Sequence, residues 1–251
     1  MKTHNTKYGQ ITLYKNDCFI GKTFDNGKYW DEDTLIRVRP YIDPNRNILE
    51  IGGHCGTSSI PYAGFINRDK RVYVYEPQKN MYQLLVHNIE QNKLQDKIIP
   101  HNLGVFCYHG IGFMSNWDLV NGSMVSKRYH EEIALDCNFG GIGLGRDGEL
   151  VMFTTIDKMN LPDIGYIHCD AQGSENFIFS KAIDTITRHR PVILYENNEL
   201  YERFSYDDVC RSYPEYGANS RFNIADFCME KLNYSKVIRR FNGGQDDLLI
   251  P

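Results

Sequence analysis

What this chain lacks narrows its class. No two of its seven cysteines, at positions 18, 55, 107, 137, 169, 210 and 228, are spaced Cys-x-x-Cys, so a structural zinc site is not expected. Their odd number and irregular spacing read as free thiols in a reducing compartment. No apolar run approaches the ~20 residues that span a bilayer. The start, Met1-Lys2-Thr3-His4-Asn5, is polar and has no apolar signal core. A cytoplasmic protein is the expectation. There is no block of basic charge: 28 Lys and Arg face 32 Asp and Glu, for a net charge of −4. Such a chain has little to hold a polyanion. The Asp/Asn-Pro-Pro-aromatic motif is also missing, so nucleic acid is not an expected partner. No internal repeat or low-complexity tract divides the 251 residues. They suit one α/β domain with a sizeable core.

What is present centres on Asn47-Ile48-Leu49-Glu50-Ile51-Gly52-Gly53-His54-Cys55-Gly56-Thr57. An apolar run ending in Gly-Gly-x-x-Gly reads as a buried parallel strand turning into a helix. Glycine permits φ > 0 there and lets backbone N–H groups approach a ligand. The spacing differs from the Gly-x-Gly-x-x-Gly of dinucleotide sites. Glu50 would repel a pyrophosphate and attract an ammonium and a sulfonium. The loop therefore suits S-adenosylmethionine better than NAD.

Residues 1–45 read as an N-terminal hairpin and helix beside the main sheet, able to cover a ligand cleft. The hairpin is expected within residues 8–30, around Lys15-Asn16-Asp17, with a second turn at Asp25-Asn26-Gly27. A helix opens at Asp31-Glu32-Asp33. Residues 46–251 read as the core. A helix is expected at about 57–67, then a strand Arg71–Glu76 and a helix carrying Met81, Leu84, Leu85 and Ile89. Ile98–Val105 reads as one strand, bringing Asn102 and Gly104 to the cofactor end. The middle, 108–157, is less regular, with a turn at 121–124. The glycine-rich stretch 139–145 reads as a surface connection, since no helix start follows it. Ile164–Asp170 and Pro191–Asn198 read as further strands, the first followed by a helix to about Thr187. Residues 198–222 read as an inserted loop rich in Tyr and Arg. Asn223 is placed as the cap of a helix through Leu232, and a C-terminal hairpin puts one antiparallel strand in the sheet.

Four strands thus end in acids: Glu50, Glu76, Asp170 and Glu196. Acids at strand C-termini face the crevice where open α/β sheets bind ligands. Glu76, one βα unit after Glu50, stands where an acid meets ribose hydroxyls. Asp170 is the first candidate for a general base acting on a hydroxyl. Glu196 and His168 are the further candidates, His168 alternating with Asp170 along its strand. Asp170 and Glu196 could also share a magnesium ion, but two carboxylates and an amide are a thin set for a hard cation, and no metal is assigned.

The motifs resemble the FkbM-type branch of S-adenosylmethionine-dependent methyltransferases over roughly residues 30–251. Glu50-Ile-Gly-Gly-His-Cys-Gly56 resembles the first motif, Val74-Tyr-Glu-Pro77 the second, and Ile167-His-Cys-Asp-Ala-Gln-Gly-Ser-Glu175 the most distinctive one. His54 and His168 depart from it, standing where Asn and Lys are common. The resemblance implies an α/β, Rossmann-like class I methyltransferase. Its sheet would have seven mostly parallel strands, an antiparallel C-terminal strand and helices on both faces. It implies O-methylation, with Glu50, Gly52, Gly53, Gly56, Thr57, Glu76, Asn102, Gly104 and Asp170 on the cofactor. A small-molecule or glycan hydroxyl is the expected acceptor, with Gln172, Tyr201 and Tyr206 on it. The alternatives are an NAD-dependent oxidoreductase of similar fold and a non-catalytic cofactor-binding module.

Overall fold

The computed structural model describes residues 1–116, 137–200 and 204–251. The expected turn at 121–124 and Tyr201 lie outside the described residues. The chain opens with a hairpin of β1 (Lys2–Thr6) and β2 (Gly9–Leu13), followed by α1 (Ile20–Asp25) and α2 (Glu32–Val38). The hairpin lies earlier than the apolar pattern suggests. β1 is polar throughout and carries no alternation to detect, and its turn is closed by the Thr6 hydroxyl accepting from the Tyr8 amide. Residues 20–25 are helical because Asp17 Oδ1 accepts from the amides of Phe19 and Gly21 and starts the turn.

The core then runs β3 (Asn47–Ile51), α3 (Ser59–Ala63), β4 (Val72–Tyr75), α4 (Lys79–Gln91) and β5 (Ile98–His101). The strand expected over 98–105 breaks after His101. Its continuation β6 (Gly104–Val105) joins β7 (Gly110–Met114), β8 (Leu144–Gly145) and β9 (Leu150–Thr154) in a second sheet ordered β6-β9-β7-β8. After α5 (Ile156–Met159) and β10 (Ile164–Cys169), the single helix expected to Thr187 is two: α6 (Glu175–Phe179) and α7 (Ile183–His189). The Ser180 hydroxyl donates back to the Phe177 carbonyl at the break. β11 (Val192–Glu196) follows.

Residues 198–222 are not an irregular loop. They contain α8 (Phe204–Ser212), a 3₁₀ turn at 214–216 and α9 (Gly217–Ser220). Ser205, Val209 and Tyr213, four apart, are the buried seam; Val209 and Tyr213 pack with Phe106, Phe153 and Phe177, and the Ser205 hydroxyl donates to Asn198 Oδ1. α10 (Ile224–Lys231) is capped by Asn223, whose side chain accepts from the Asp226 amide, as expected. The hairpin β12 (Lys236–Ile238) and β13 (Asp246–Ile250) closes the chain.

The main sheet has seven strands in the order β12-β13-β11-β10-β3-β4-β5. β13 is antiparallel to its neighbours and the others run parallel. This is a doubly wound, Rossmann-like sheet, with the strand order reversing between β3 and β10. Alternation along β3 sends Ile48 to a core with α3, α4 and the N-terminal hairpin, and Leu49 and Ile51 to a core with α6, α7 and α10. Helices therefore cover both faces. Among the described residues, no helix is long and apolar enough to cross a membrane.

The reversal point is also the tightest contact. Gly52 has φ +85, and a Cβ there would lie 1.8 Å from the Asp170 carbonyl oxygen. Gly52→Ala is expected to lower stability by at least about 2 kcal/mol, roughly 4–8 °C in melting temperature at this size. Gly27, at φ +72 but facing open space, is the control for backbone strain alone. Equal losses in Gly52→Ala and Gly27→Ala would show that the strand ends separate without cost.

Candidate active site

A cavity of about 390 Å³ opens at the C-terminal edge of the main sheet, across the reversal point. Ile51–His54 line it after β3, Glu76–Gln78 after β4, Asp170–Gln172 after β10, Glu196 at the end of β11 and Gln245 before β13. From β4 to β11 is three strand spacings, about 14 Å, enough for a nucleoside and a second molecule beside it. The N-terminal segment adds Phe19, Ile20 and Trp30, with Phe19 edge-on to Trp30 at 5.4 Å. It covers the cleft, as its sequence position suggests. Residues 140–144 form another wall. The glycine-rich stretch is thus not a surface connection: Phe139, Ile142 and Leu144 are buried, and the Gln78 amide donates to the Phe139 carbonyl at 3.1 Å. Three bulky apolar residues spaced among its glycines are the signal that marks it for burial.

The glycine loop is built to let backbone in. At Gly53 a Cβ would meet the Val74 side chain at 2.1 Å. His54 has φ +47, and its amide donates to Glu76 Oε2 at 2.7 Å while the Gln78 amide donates to Oε1 at 2.8 Å. Both carboxylate oxygens are thereby aimed, with further lone pairs available to two hydroxyls. Burial raises Glu76 to about 7 against these two amides, which lower it. Thr57 and Gly104 line the cavity. Glu50, Gly56 and Asn102 do not. Gly56, at φ +95, packs against Leu85. The Asn102 amide donates to the carbonyls of Glu76 and Pro77 and so holds the turn from behind.

Glu50 belongs to the other side of β3. It is 1 % exposed, accepts from the Ser59 hydroxyl, and lies beside His168, with His168 Nδ1 3.6 Å from Glu50 Oε1. β3 and β10 place the two residues directly opposite each other in parallel register. His168 itself lines the cavity.

At the other end, Asp170 is exposed and accepts from Gln172 Nε2 at 2.7 Å. Gln172, at φ +49, also reaches Glu196 Oε2 at 3.4 Å, and Asn198 donates to the same oxygen at 2.8 Å. Glu175, which sequence reasoning left without a role, accepts from the Ala171 amide and from Asn198. Burial pushes it up to about 8. Carboxylate oxygens of Asp170, Glu175 and Glu196 lie within 4.8 Å of one another. Amide donors already hold each of them, so the set is a hydrogen-bonded acidic cluster. Tyr206 is not brought to the cavity: its hydroxyl donates to the Ser220 carbonyl at 3.1 Å. Periodicity along α8 turns it toward α9.

Among the described residues, five buried side-chain polar atoms lack a hydrogen-bond partner: both ring nitrogens of His54, Nδ1 of His168, Oε1 of Gln172 and Oγ of Ser174. All four residues line this one cavity. His168 Nδ1 is turned to Glu50, 3.6 Å away; the other four atoms, on His54, Gln172 and Ser174, each cost about 1–3 kcal/mol if left unpaired, and their convergence marks a place for a polar ligand. The described lining contains Glu76, Asp170 and Glu196 but no Lys or Arg.

Three buried acids, Glu76, Glu175 and Asp246, set an expected pH dependence of stability. Glu76 stands at about 7, Glu175 at about 8 and Asp246 at about 7, each raised chiefly by burial. The folded chain holds protons that the unfolded chain releases above about pH 4–5. Stability is therefore full at low pH and lost as pH rises through the folded values. Buried His54, lowered by burial, opposes this only below its ordinary value near 6.5. The ligand-free protein should be less stable to urea at pH 8.5 than at pH 6, by a few kcal/mol on the order set by linkage. Rising stability over that interval would show that these carboxylates are not buried as described.

No protein-family model and no curated protein matches this chain. Solved structures similar to it include methyltransferase FkbM from Methylobacillus flagellatus KT, at 15% identity and a TM-score of 0.49. That likeness covers 83% of this chain and 44% of that one, so this chain spans less than half of that protein. An O-methyltransferase from Bacillus cereus in complex with SAH is similar at 14% identity and a TM-score of 0.42, over 87% of this chain and 78% of that one. A SAM-dependent O-methyltransferase from Thermotoga maritima is similar at 10% identity and a TM-score of 0.41, over 85% and 62%. Likeness at this level carries no activity from those proteins to this one; the strand order gives the fold, and the cavity must speak for the chemistry.

Proposed function

We propose that this chain transfers the methyl group of S-adenosylmethionine to a hydroxyl. The observation that carries the reading is the cavity at the reversal point, lined by three acids, by no described Lys or Arg, and by four residues with unpaired buried polar atoms. A sulfonium and an ammonium suit that field, whereas the pyrophosphate of NAD would meet Glu76 and Asp170 with no cation to balance it. Glu76, held by two amides, is the acid for the ribose hydroxyls. Val105, Met114, Ile142 and Leu144 offer apolar walls for the base. When bound, the sulfonium supplies an electrophilic methyl group, so the protein's work is to orient the acceptor and remove its proton.

The acceptor end lies over β10 and β11, where Asp170, Gln172 and Glu196 provide acceptors and donors for a polyol. A sugar or glycan hydroxyl remains our reading of the substrate class, with its supports reassigned. The aromatic faces available to apolar CH patches are Phe19 and Trp30, not Tyr206. Seven free thiols fit a reducing cytoplasm, which we include in the proposal.

Calorimetry with S-adenosylmethionine, S-adenosylhomocysteine and NAD tests the first part. The two adenosyl sulfur compounds should bind and NAD should not. Glu76→Ala should weaken S-adenosylhomocysteine by about 2 kcal/mol, roughly 30-fold; unchanged affinity would remove Glu76 from the ribose. For the acceptor, labelled-methyl transfer is screened over methyl glycosides and small alcohols. Phe19 is 45 % exposed, so Phe19→Ala should raise the glycoside KM with little change in melting temperature. Methyl transfer to proteins and to no carbohydrate would end the sugar assignment.

A further inference from the structure

We propose that His168, oriented by Glu50, is the group that takes the proton from the acceptor hydroxyl. This rests on the methyl-transfer reading and changes the base expected from the sequence, which was Asp170.

Glu50 is not among the residues that line the cavity. Its side chain is 1 % exposed, and among the described residues His168 is its only ion-pair partner. A buried carboxylate is costly without a partner. Here it is fixed from one side by the Ser59 hydroxyl and set against His168 Nδ1 from the other. The imidazole keeps 12 % of its surface exposed, while Nδ1 is buried, so its open part lies away from Glu50. Tyr62 packs edge-on against the ring at 5.7 Å and 87°. One nitrogen 3.6 Å from a buried acid, with the ring on the wall of a cavity, places the imidazole where a carboxylate favours its protonated form, as the base of a proton transfer requires. Asp170 lacks such a setting: it faces solvent and its Oδ1 is occupied by the Gln172 amide.

The charge balance favours the same group. The acceptor O–H bond breaks and an O–CH₃ bond forms. The C–S bond of S-adenosylmethionine breaks, its electron pair stays on sulfur, and the proton goes to His168 Nε2. One positive charge disappears at the sulfonium as one appears on the imidazole. The carboxylates that favour the cation before transfer favour the imidazolium after it. Those acting on His168 are Glu50 from β3, Asp170 beyond β10, Asp246 from β13 and Asp31 before α2; Tyr62 faces it from α3. Burial lowers the His168 pKa and the carboxylates, Glu50 foremost, raise it, with a net shift upward.

The test begins without an acceptor. The His168 ring is titrated by NMR in the wild-type protein and in Glu50→Gln, with Glu50→Asp as the second variant should the first not fold. Removing or retracting the carboxylate should move the His168 titration to lower pH. An unmoved titration in a folded variant overturns the pairing. Turnover then uses methyl-labelled S-adenosylmethionine with the glycoside panel. His168→Gln should lose roughly 10²–10⁴-fold in kcat while S-adenosylhomocysteine affinity stays within about threefold. The pH–kcat limb should shift downward in the Glu50 variant. Wild-type kcat in His168→Gln overturns the assignment, as does a parallel loss of kcat and affinity. If the wild-type protein binds no S-adenosylhomocysteine, the methyl-transfer reading itself fails. If no glycoside accepts a methyl group, the ring titration alone decides.

Discussion

The close approach of Gly52 to Asp170 is the constraint on which the site depends. β3 and β10 are the two central strands, and everything built outward from them runs in opposite directions along the sheet. The Asp170 amide donates to the Ile51 carbonyl, and the Gly52 amide to the Tyr75 carbonyl. Three strand ends are thus sewn together by backbone within a few residues, with no room for a side chain at Gly52. The consequence is chemical as much as structural. The glycine turn after β3 and the turn that carries Asp170 and Gln172 touch, so groups bound over the two would lie next to each other. On the methyl-transfer reading, that proximity is the larger part of what the site would supply.

Electrostatics works against the ligand-free fold at neutral pH. Glu76 and Glu175 are buried carboxylates held by amides rather than by cations, and both sit well above the ordinary carboxylate range. Such groups weaken the native state near neutral pH and are retained where a site needs them. The hydrogen bonds that aim them are backbone donors from His54, Gln78 and Ala171, which cannot rearrange without the loops that carry them. Placement is therefore a property of the fold.

The N-terminal segment is an integral part of this arrangement. Asn88, fully buried on α4, exchanges hydrogen bonds with both backbone groups of Thr12 on β2 and donates to the Cys55 carbonyl in the glycine loop. One side chain thus ties the N-terminal hairpin, helix α4 and the glycine loop. Tyr29 continues the connection by donating to the Thr57 carbonyl at 2.8 Å. Phe19 and Trp30 reach the cavity because this tether fixes where the segment can lie.

Much of the fold was legible in the amino-acid order, because burial on both faces writes a parallel strand as an apolar run and tight turns demand glycine. The strands around Glu50, Glu76, Asp170 and Glu196, helix α4, the Asn223 cap and the antiparallel last strand all follow from such local chemistry. The polar strand β1 escaped because it has no apolar alternation. The 198–222 helices escaped because their seam at Ser205, Val209 and Tyr213 includes a serine and is diluted by surface charge. Which side of a strand an acid faces is a question of another kind. Glu50 and Glu76 look alike in sequence, each closing an apolar run before a turn. Pairing of β3 with β10 sets Glu50 against His168 beneath the cavity, while Glu76, one residue past β4, turns into it. The sequence by itself determined that acids would gather at the sheet's edge. Only the tertiary structure decided which of them lines the cavity and which lies against a histidine, because that depends on strand pairing, and Glu50 meets His168 only through a strand more than a hundred residues away.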